Sequence, residues 1–173
     1  CIRDSTNTPD DVRELRDRLR ELGAEDVGVV FKIETRRGFE NLPAILLEAL
    51  KFPACGVMIA RGDLAAECGF ERMAELQEEI LWICESAHVP VVWATQVLEG
   101  LTKRGHATRA EITDAAMGQS AECVMLNKGP YVADALQTLN DILQRMQDHQ
   151  TKKRSMLRKL SLAADFTATR QES

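Results

Sequence analysis

The chain has 173 residues, 45% of them hydrophobic and 28% charged, which is enough apolar material for one packed domain and too much for a disordered segment. A net charge of −5 and a pI near 5.3 weigh against a general nucleic-acid binder, and no apolar run approaches the roughly 20 residues that span a bilayer. Five cysteines (Cys1, Cys55, Cys68, Cys84, Cys123) form no CxxC pair; several lie in apolar runs where Cys behaves as a small hydrophobe, so a soluble protein of the reducing cytoplasm is expected. The opening Cys1, with no initiator Met, reads as an excerpt of a longer polypeptide.

Thr8 followed by Pro9, Asp10 and Asp11 predicts a helix start: a hydroxyl at the N-cap, proline in the first turn and acids on the positive end of the dipole. This helix should run to Gly23, with Val12, Leu15, Leu19 and Leu22 on its buried stripe and the arginines and acids of its other face in solvent. Val27 to Glu34 predicts the first strand. Period-2 alternation puts Lys32 and Glu34 on one face at its C-terminal end. Thr35 to Phe39 reads as a polar loop, and a helix follows near Leu42 to Leu50 with Pro43 in its first turn.

The next strand, Val57 to Ala60, is continuously apolar and stops at Arg61, Gly62 and Asp63. Two neighbouring strand ends of this kind gather two carboxylates and a lysine, the composition of a site for a hard divalent cation and an anionic substrate. After Gly69, Met73, Leu76, Ile80, Ile83 or Cys84, and Ala87 recur at helical spacing, with Trp82 expected to pack rather than bind. Pro90 precedes a third strand, Val91 to Ala94, which closes on Thr95 and Gln96. Thr95 also suits a hydroxyl cap on the next helix. Thr108 and Glu111 have the form of a capping box opening a helix through Ala116. Cys123 to Leu126 predicts the fourth strand, ending at Asn127, Lys128 and Gly129. A last helix from about Tyr131 should bury Leu136, Leu139, Ile142, Leu143 and Met146 and continue past Lys152, Lys153 and Arg154. Residues 1–160 thus form the domain, and 161–173 read as a frayed tail.

Strand starts near 27, 56, 91 and 123, with a helix in every gap, have the rhythm of repeated right-handed βα units. The fold class is α/β, and four such units make half of a TIM (β/α)8 barrel; a small doubly wound open sheet has the same periodicity. Polar residues after every strand favour the barrel, whose enzymes build their sites on that face. A half-barrel leaves strand edges unpaired, so a homo-oligomer or another covering element is expected.

The string from Lys32 to Leu126 resembles the second half of the pyruvate kinase barrel. It carries KIE and a following glycine (Lys32, Ile33, Glu34, Gly38), ARGDL (Ala60 to Leu64), Glu67, ATQ-x-LE (Ala94 to Glu99), TRAE-x-xD (Thr108 to Asp114) and a cysteine-bearing VML strand. The resemblance implies that Glu34 and Asp63 hold Mg²⁺ or Mn²⁺, that Lys32 stabilises the transferring phosphoryl group, and that the amides of Gly62 and Asp63, with Arg61 close by, bind the substrate carboxylate. Thr95 would sit beside the enolate carbon. The implied partners are phosphoenolpyruvate or pyruvate, and ADP or ATP bound through the missing half, which would also carry the K⁺ ligands. Asn127, Lys128 and Gly129 depart from the Gly-Glu-Thr run usual after the last strand. Two other readings fit the same residues: a metal-dependent lyase or aldolase of the phosphoenolpyruvate and pyruvate superfamily, and a non-catalytic interaction half-barrel.

Overall fold

A computed structural model describes residues 5–155 of the chain. Its elements, in order, are α1 (Pro9–Glu21), β1 (Val29–Ile33), α2 (Arg36–Glu40), α3 (Leu42–Ala49), β2 (Cys55–Ala60), α4 (Arg61–Cys68), α5 (Met73–Ser86), β3 (Val91–Val97), α6 (Glu99–Arg104), α7 (Arg109–Met117), β4 (Cys123–Leu126) and α8 (Val132–Ser155). Short 3-10 turns at Phe70–Arg72 and Gly118–Ser120 lead into α5 and out of α7. No helix among the described residues is long and apolar enough to cross a membrane. The tail expected from residue 161, and Cys1 to Arg3, lie outside the described residues.

The four strands form one parallel sheet in the order β1-β2-β3-β4. A doubly wound sheet reverses its order at a switch point, so the unbroken sequence of neighbours selects the partial α/β barrel. In-register pairing places Ile33, Ile59, Trp93 and Val124 side by side. The first three are fully buried and join Val57, Leu42, Ile45 and Ile80 in the core under the helices. The opposite face carries Val30, Lys32, Met58, Val92 and Cys123, and none of these is buried. One face of the sheet is therefore a helix-covered core, and the other is the open concave side of an incomplete barrel.

The caps explain where the helices begin. Thr8 Oγ1 accepts from the Asp11 amide at 3.4 Å while Asp11 Oδ2 accepts from the Thr8 amide at 2.9 Å, and Thr108 with Glu111 repeats the device at α7. Each such box satisfies amides that the first turn leaves unpaired. Arg13 and Arg16 of α1 reach Glu48 of α3 at 3.1 and 3.2 Å, tying the first two layers of helix together.

Several expectations are corrected. Thr35 to Phe39 is not a loop: Thr35 Oγ1 accepts from the Gly38 amide at 3.0 Å and caps the short helix α2. The glycine permits this because a Cβ there would meet the Thr6 carbonyl oxygen at 2.5 Å. Leu22 is 67% exposed, because α1 ends at Glu21 and Gly23, at φ +65°, turns the chain away. Leu136 is 61% exposed, since α8 turns Ala135 and Leu139 inward instead. Trp82 is 63% exposed on the outer side of α5, where it packs on nothing that buries it. Two short helices that the sequence pattern leaves unmarked, α4 and α6, start almost immediately after β2 and β3.

Candidate functional site

The C-terminal ends of β1, β2 and β3 converge on one rim, as their register requires. At the end of β1, Lys32 Nζ forms an ion pair with Glu34 and lies 3.9 Å from an Asp63 carboxylate oxygen at the end of β2. The Lys32 ammonium thus stands between two carboxylates of very different exposure: the Glu34 side chain is 13% exposed and that of Asp63 is 69%. The Asp63 carboxylate, in the first turn of α4, is the one open to solvent. Backbone geometry feeds this cluster. Thr6, on the segment before α1, donates its amide to the Lys32 carbonyl at 3.0 Å, and Asn7 receives the Thr35 hydroxyl, so the turn after β1 is pinned from its far side. Glu67 of α4 accepts from the Arg36 amide at 2.8 Å, which holds the start of α2 against α4.

β2 runs without a break into α4. Ala60 at the N-cap has no side chain that can accept a hydrogen bond, so the first-turn amides of α4 face the rim uncapped. The Gly62 amide has only a long 3.4 Å contact, to Thr95 Oγ1. Unsatisfied amides on the positive end of a helix attract an anion. Thr95, expected as a possible helix cap, does not cap: α6 begins at Glu99 with Leu98 as its N-cap. Its hydroxyl faces Gly62 instead.

The chain around Thr95 departs from ordinary strand geometry. Gln96 (φ +60°) and Leu98 (φ +48°) both occupy the left-handed region without being glycine, a conformation that costs on the order of 1 kcal/mol or more per residue and persists only where surrounding contacts determine it. On one side Leu98 gives its carbonyl to both the amide and the hydroxyl of Thr102, each at 2.8 Å. On the other, Arg61 Nε donates to the Ala94 carbonyl at 3.0 Å and Arg61 Nη2 to the Thr95 carbonyl at 2.7 Å. Arg61 Nη1 is paired with Asp114 of α7, and the guanidinium lies 4.6 Å from the ring centroid of buried Trp93. Arg61, which the sequence places among the substrate contacts, is itself buried, with all three of its nitrogens engaged inside the chain.

A cavity of about 340 Å³ opens beside this cluster, lined by Arg61, Gly62, Phe70, Thr95, Gln96 and Asp114 among others. A larger one, about 670 Å³, lies away from the rim, between α1 and the free edge of β1. Of these two, the smaller touches the ends of β2 and β3, at Arg61, Gly62 and Thr95. Near its edge burial pushes the Glu111 carboxyl up, but hydrogen bonds from the amides of Thr108 and Gly100 outweigh this and hold it below the usual carboxylate range. Glu111 is therefore a structural anion.

Among the described residues no three His, Cys, Asp or Glu side chains cluster as a metal site. Glu34 and Asp63 still fit a hard cation that takes two protein oxygens and completes its shell from water and substrate. The sequence identified Lys32, Glu34, Gly62, Asp63 and Thr95, and the structure brings all five to one rim. It missed the parts of Asp114 and Trp93. Asp114 was visible as the last residue of the TRAE-x-xD string, whereas nothing in an apolar strand singles out Trp93.

A helix-backed parallel sheet with a lysine, two carboxylates and an open helix N-terminus on its C-terminal rim defines part of an α/β-barrel protein. The family model "Pyruvate kinase, barrel domain" matches residues 4–135. Pyruvate kinase of Bacillus licheniformis is 34% identical over 146 residues, covering 81% of this chain and 24% of that protein. Pyruvate kinase of Debaryomyces hansenii is 37% identical over 140 residues (78% and 27%), and plastidial pyruvate kinase 3 of Arabidopsis thaliana is 41% identical over 119 residues (67% and 20%). The chain belongs to the pyruvate kinase family, and it spans about a quarter of the length of these relatives.

Proposed function

We propose that this chain supplies the enolate and metal side of a pyruvate kinase site, which transfers a phosphoryl group from phosphoenolpyruvate to ADP and is competent only when the rest of the barrel is supplied. The observation that carries the reading is the Lys32, Glu34 and Asp63 cluster lying beside the uncapped N-terminus of α4 and the Thr95 hydroxyl. Glu34 and Asp63 would hold Mg²⁺ or Mn²⁺, which when bound neutralises charge on the enolate and phosphoryl oxygens. The first amides of α4, at Gly62 and Asp63, bind the substrate carboxylate, and the Lys32 ammonium meets the phosphoryl group as its charge spreads. Thr95 stands near the carbon that takes up the proton. In this reading the ADP and K⁺ contacts lie outside this sequence, a second copy or another part of the protein covers the concave face, and the setting is cytoplasmic. Membership of the pyruvate kinase family disfavours the lyase.

The test is calorimetric titration of Mn²⁺ with and without oxalate, a mimic of the enolate. Two protein carboxylates alone predict weak metal binding that tightens about tenfold or more when oxalate adds its oxygens, a gain of about 1.4 kcal/mol per tenfold. Asp63→Ala should abolish the difference. Synergy that survives Asp63→Ala, or no metal dependence even when the chain is joined to the remainder of a barrel, makes the interaction half-barrel the better reading.

A further inference from the structure

We propose that Arg61 is a positioning residue, which holds the end of β3 so that the Thr95 hydroxyl faces the N-terminus of α4, and that Asp114 and Trp93 fix Arg61 for that task. The inference rests on the phosphoenolpyruvate reading for the function of Thr95, but the clamp itself stands on geometry alone. A strand can be held by ordinary ladder bonds up to its last residue. Beyond Ala94 the β3–β4 register shifts between Trp93 and Val97, and Gln96 and Leu98 leave the strand conformation. Val97 pairs again with Leu126, so the ladder is interrupted between Trp93 and Val97, and across that gap one side chain holds the backbone: Arg61 donates to two successive carbonyls, Ala94 and Thr95. A planar guanidinium with donors in a fixed fork is suited to this, and the point charge of a lysine is not.

The surroundings make Arg61 rigid. A buried cation is tolerated only when paired, and Asp114 supplies the pair from α7, a different element. The indole of Trp93 lies beneath the guanidinium, an attraction of cation and ring face. Arg61 is also the first residue of α4, so the same backbone that presents the Gly62 amide carries the side chain that sets Thr95. The Gly62 amide on α4 and the Thr95 hydroxyl on β3 are thereby locked to each other through a residue whose own donors are all engaged inside the chain.

A double-mutant cycle tests it, with oxalate binding measured at saturating Mn²⁺. Arg61→Lys keeps the charge but loses the fork, and should weaken oxalate about tenfold in the otherwise unchanged chain and less than twofold in a Thr95→Ala background, because Arg61 acts through Thr95. Equal losses in both backgrounds overturn the proposal, since they mean that Arg61 acts on the ligand directly or on the fold at large. Amide hydrogen exchange in the ligand-free chain supplies a second readout. Arg61→Lys should speed exchange at residues 96–98 while leaving α1 and α3 unchanged; unchanged exchange at 96–98, or a rise throughout the chain, overturns the clamp. Asp114→Asn, which keeps an acceptor and removes the charge, should shift both readouts in the same direction by a smaller factor, and it decides the case should Arg61→Lys not fold. A chain that takes up no oxalate even when joined to the remainder of a barrel refutes the phosphoenolpyruvate reading, and the clamp is then decided by exchange at 96–98.

Discussion

The two faces of the sheet differ in what they ask of their residues. Ile33, Val57, Ile59 and Trp93 on the helix side are closed off from water, whereas Val30, Met58, Val92 and Cys123 on the concave side share the same strands and the same register without being buried. Most of the large buried side chains thus lie on one face, and the charged groups Lys32 and Glu34 at the edge of the other. A fold of this construction can keep a rim of strained and charged groups because the energy that tolerates them is generated mainly on the helix-covered side.

The largest expected effect follows from this contrast. Ile59→Ala removes a fully buried side chain and should cost about 2–5 kcal/mol in urea unfolding, while Met58→Ala, one residue along and on the open face, should cost well under half as much. Equal losses would mean that the concave face is covered in solution. Next in size is Gly38→Ala, which puts a methyl 2.5 Å from the Thr6 carbonyl oxygen. Displacing that backbone should cost about 1–3 kcal/mol and loosen the segment behind Lys32, so weaker metal and oxalate binding should accompany the lower midpoint. A midpoint shift without any change in binding would separate the N-terminal segment from the site.

Acid should act through Glu48 and Glu111. The hydrogen bond from Lys51, with further help from the Lys51 charge and from hydrogen bonds donated by Arg16 and Arg13, outweighs burial and holds the Glu48 carboxyl below the usual carboxylate range; Glu111 is held low as well. A group whose folded-state pKa is depressed contributes stability that is present above its unfolded value, about 4.3 for Glu, and lost as pH falls through the lower folded value. Unfolding midpoints should therefore be flat from neutral pH to about 5 and fall below about 4.3, and Glu48→Gln should flatten that fall. A fall of undiminished size in Glu48→Gln assigns the acid sensitivity elsewhere.

The smallest perturbation is a thiol count. Burial pushes the Cys84 thiol up to about 12, so it has almost no thiolate at pH 8 and is shielded as well, whereas Cys123 is exposed on the concave side. A disulfide reagent should label Cys123 within minutes and Cys84 only on unfolding. Protection of Cys123 in the native chain, reversed on dilution, would be the signature of a second copy on the open face.

The comparison also separates what could be read in advance from what could not. Strand and helix order was legible because apolar runs of four to six residues alternate with amphipathic stretches and begin at chemical caps such as Thr8 and Thr108. Lys32, Glu34, Gly62, Asp63 and Thr95 were legible because each follows an apolar run at a strand end. The helices α2, α4 and α6 were not: α2 and α6 hold too few turns for a period to show, α4 follows β2 with no break or side-chain cap to mark its start, and the start of α2 depends on contacts such as Glu67 on the Arg36 amide.

By itself, then, the sequence determined the local rules: which segments are strands, which residue types stand at their ends, and that four βα units follow one another. Tertiary structure alone decided between barrel and open sheet, since strand order is a relation among segments some 30 residues apart that no local pattern encodes. It also decided the part played by Arg61. In the sequence this residue is a cation at a strand end, indistinguishable in kind from Lys32. Only the approach of β3 and α7 brings Ala94, Thr95 and Asp114 around its guanidinium, and a buried charge goes where its partners are.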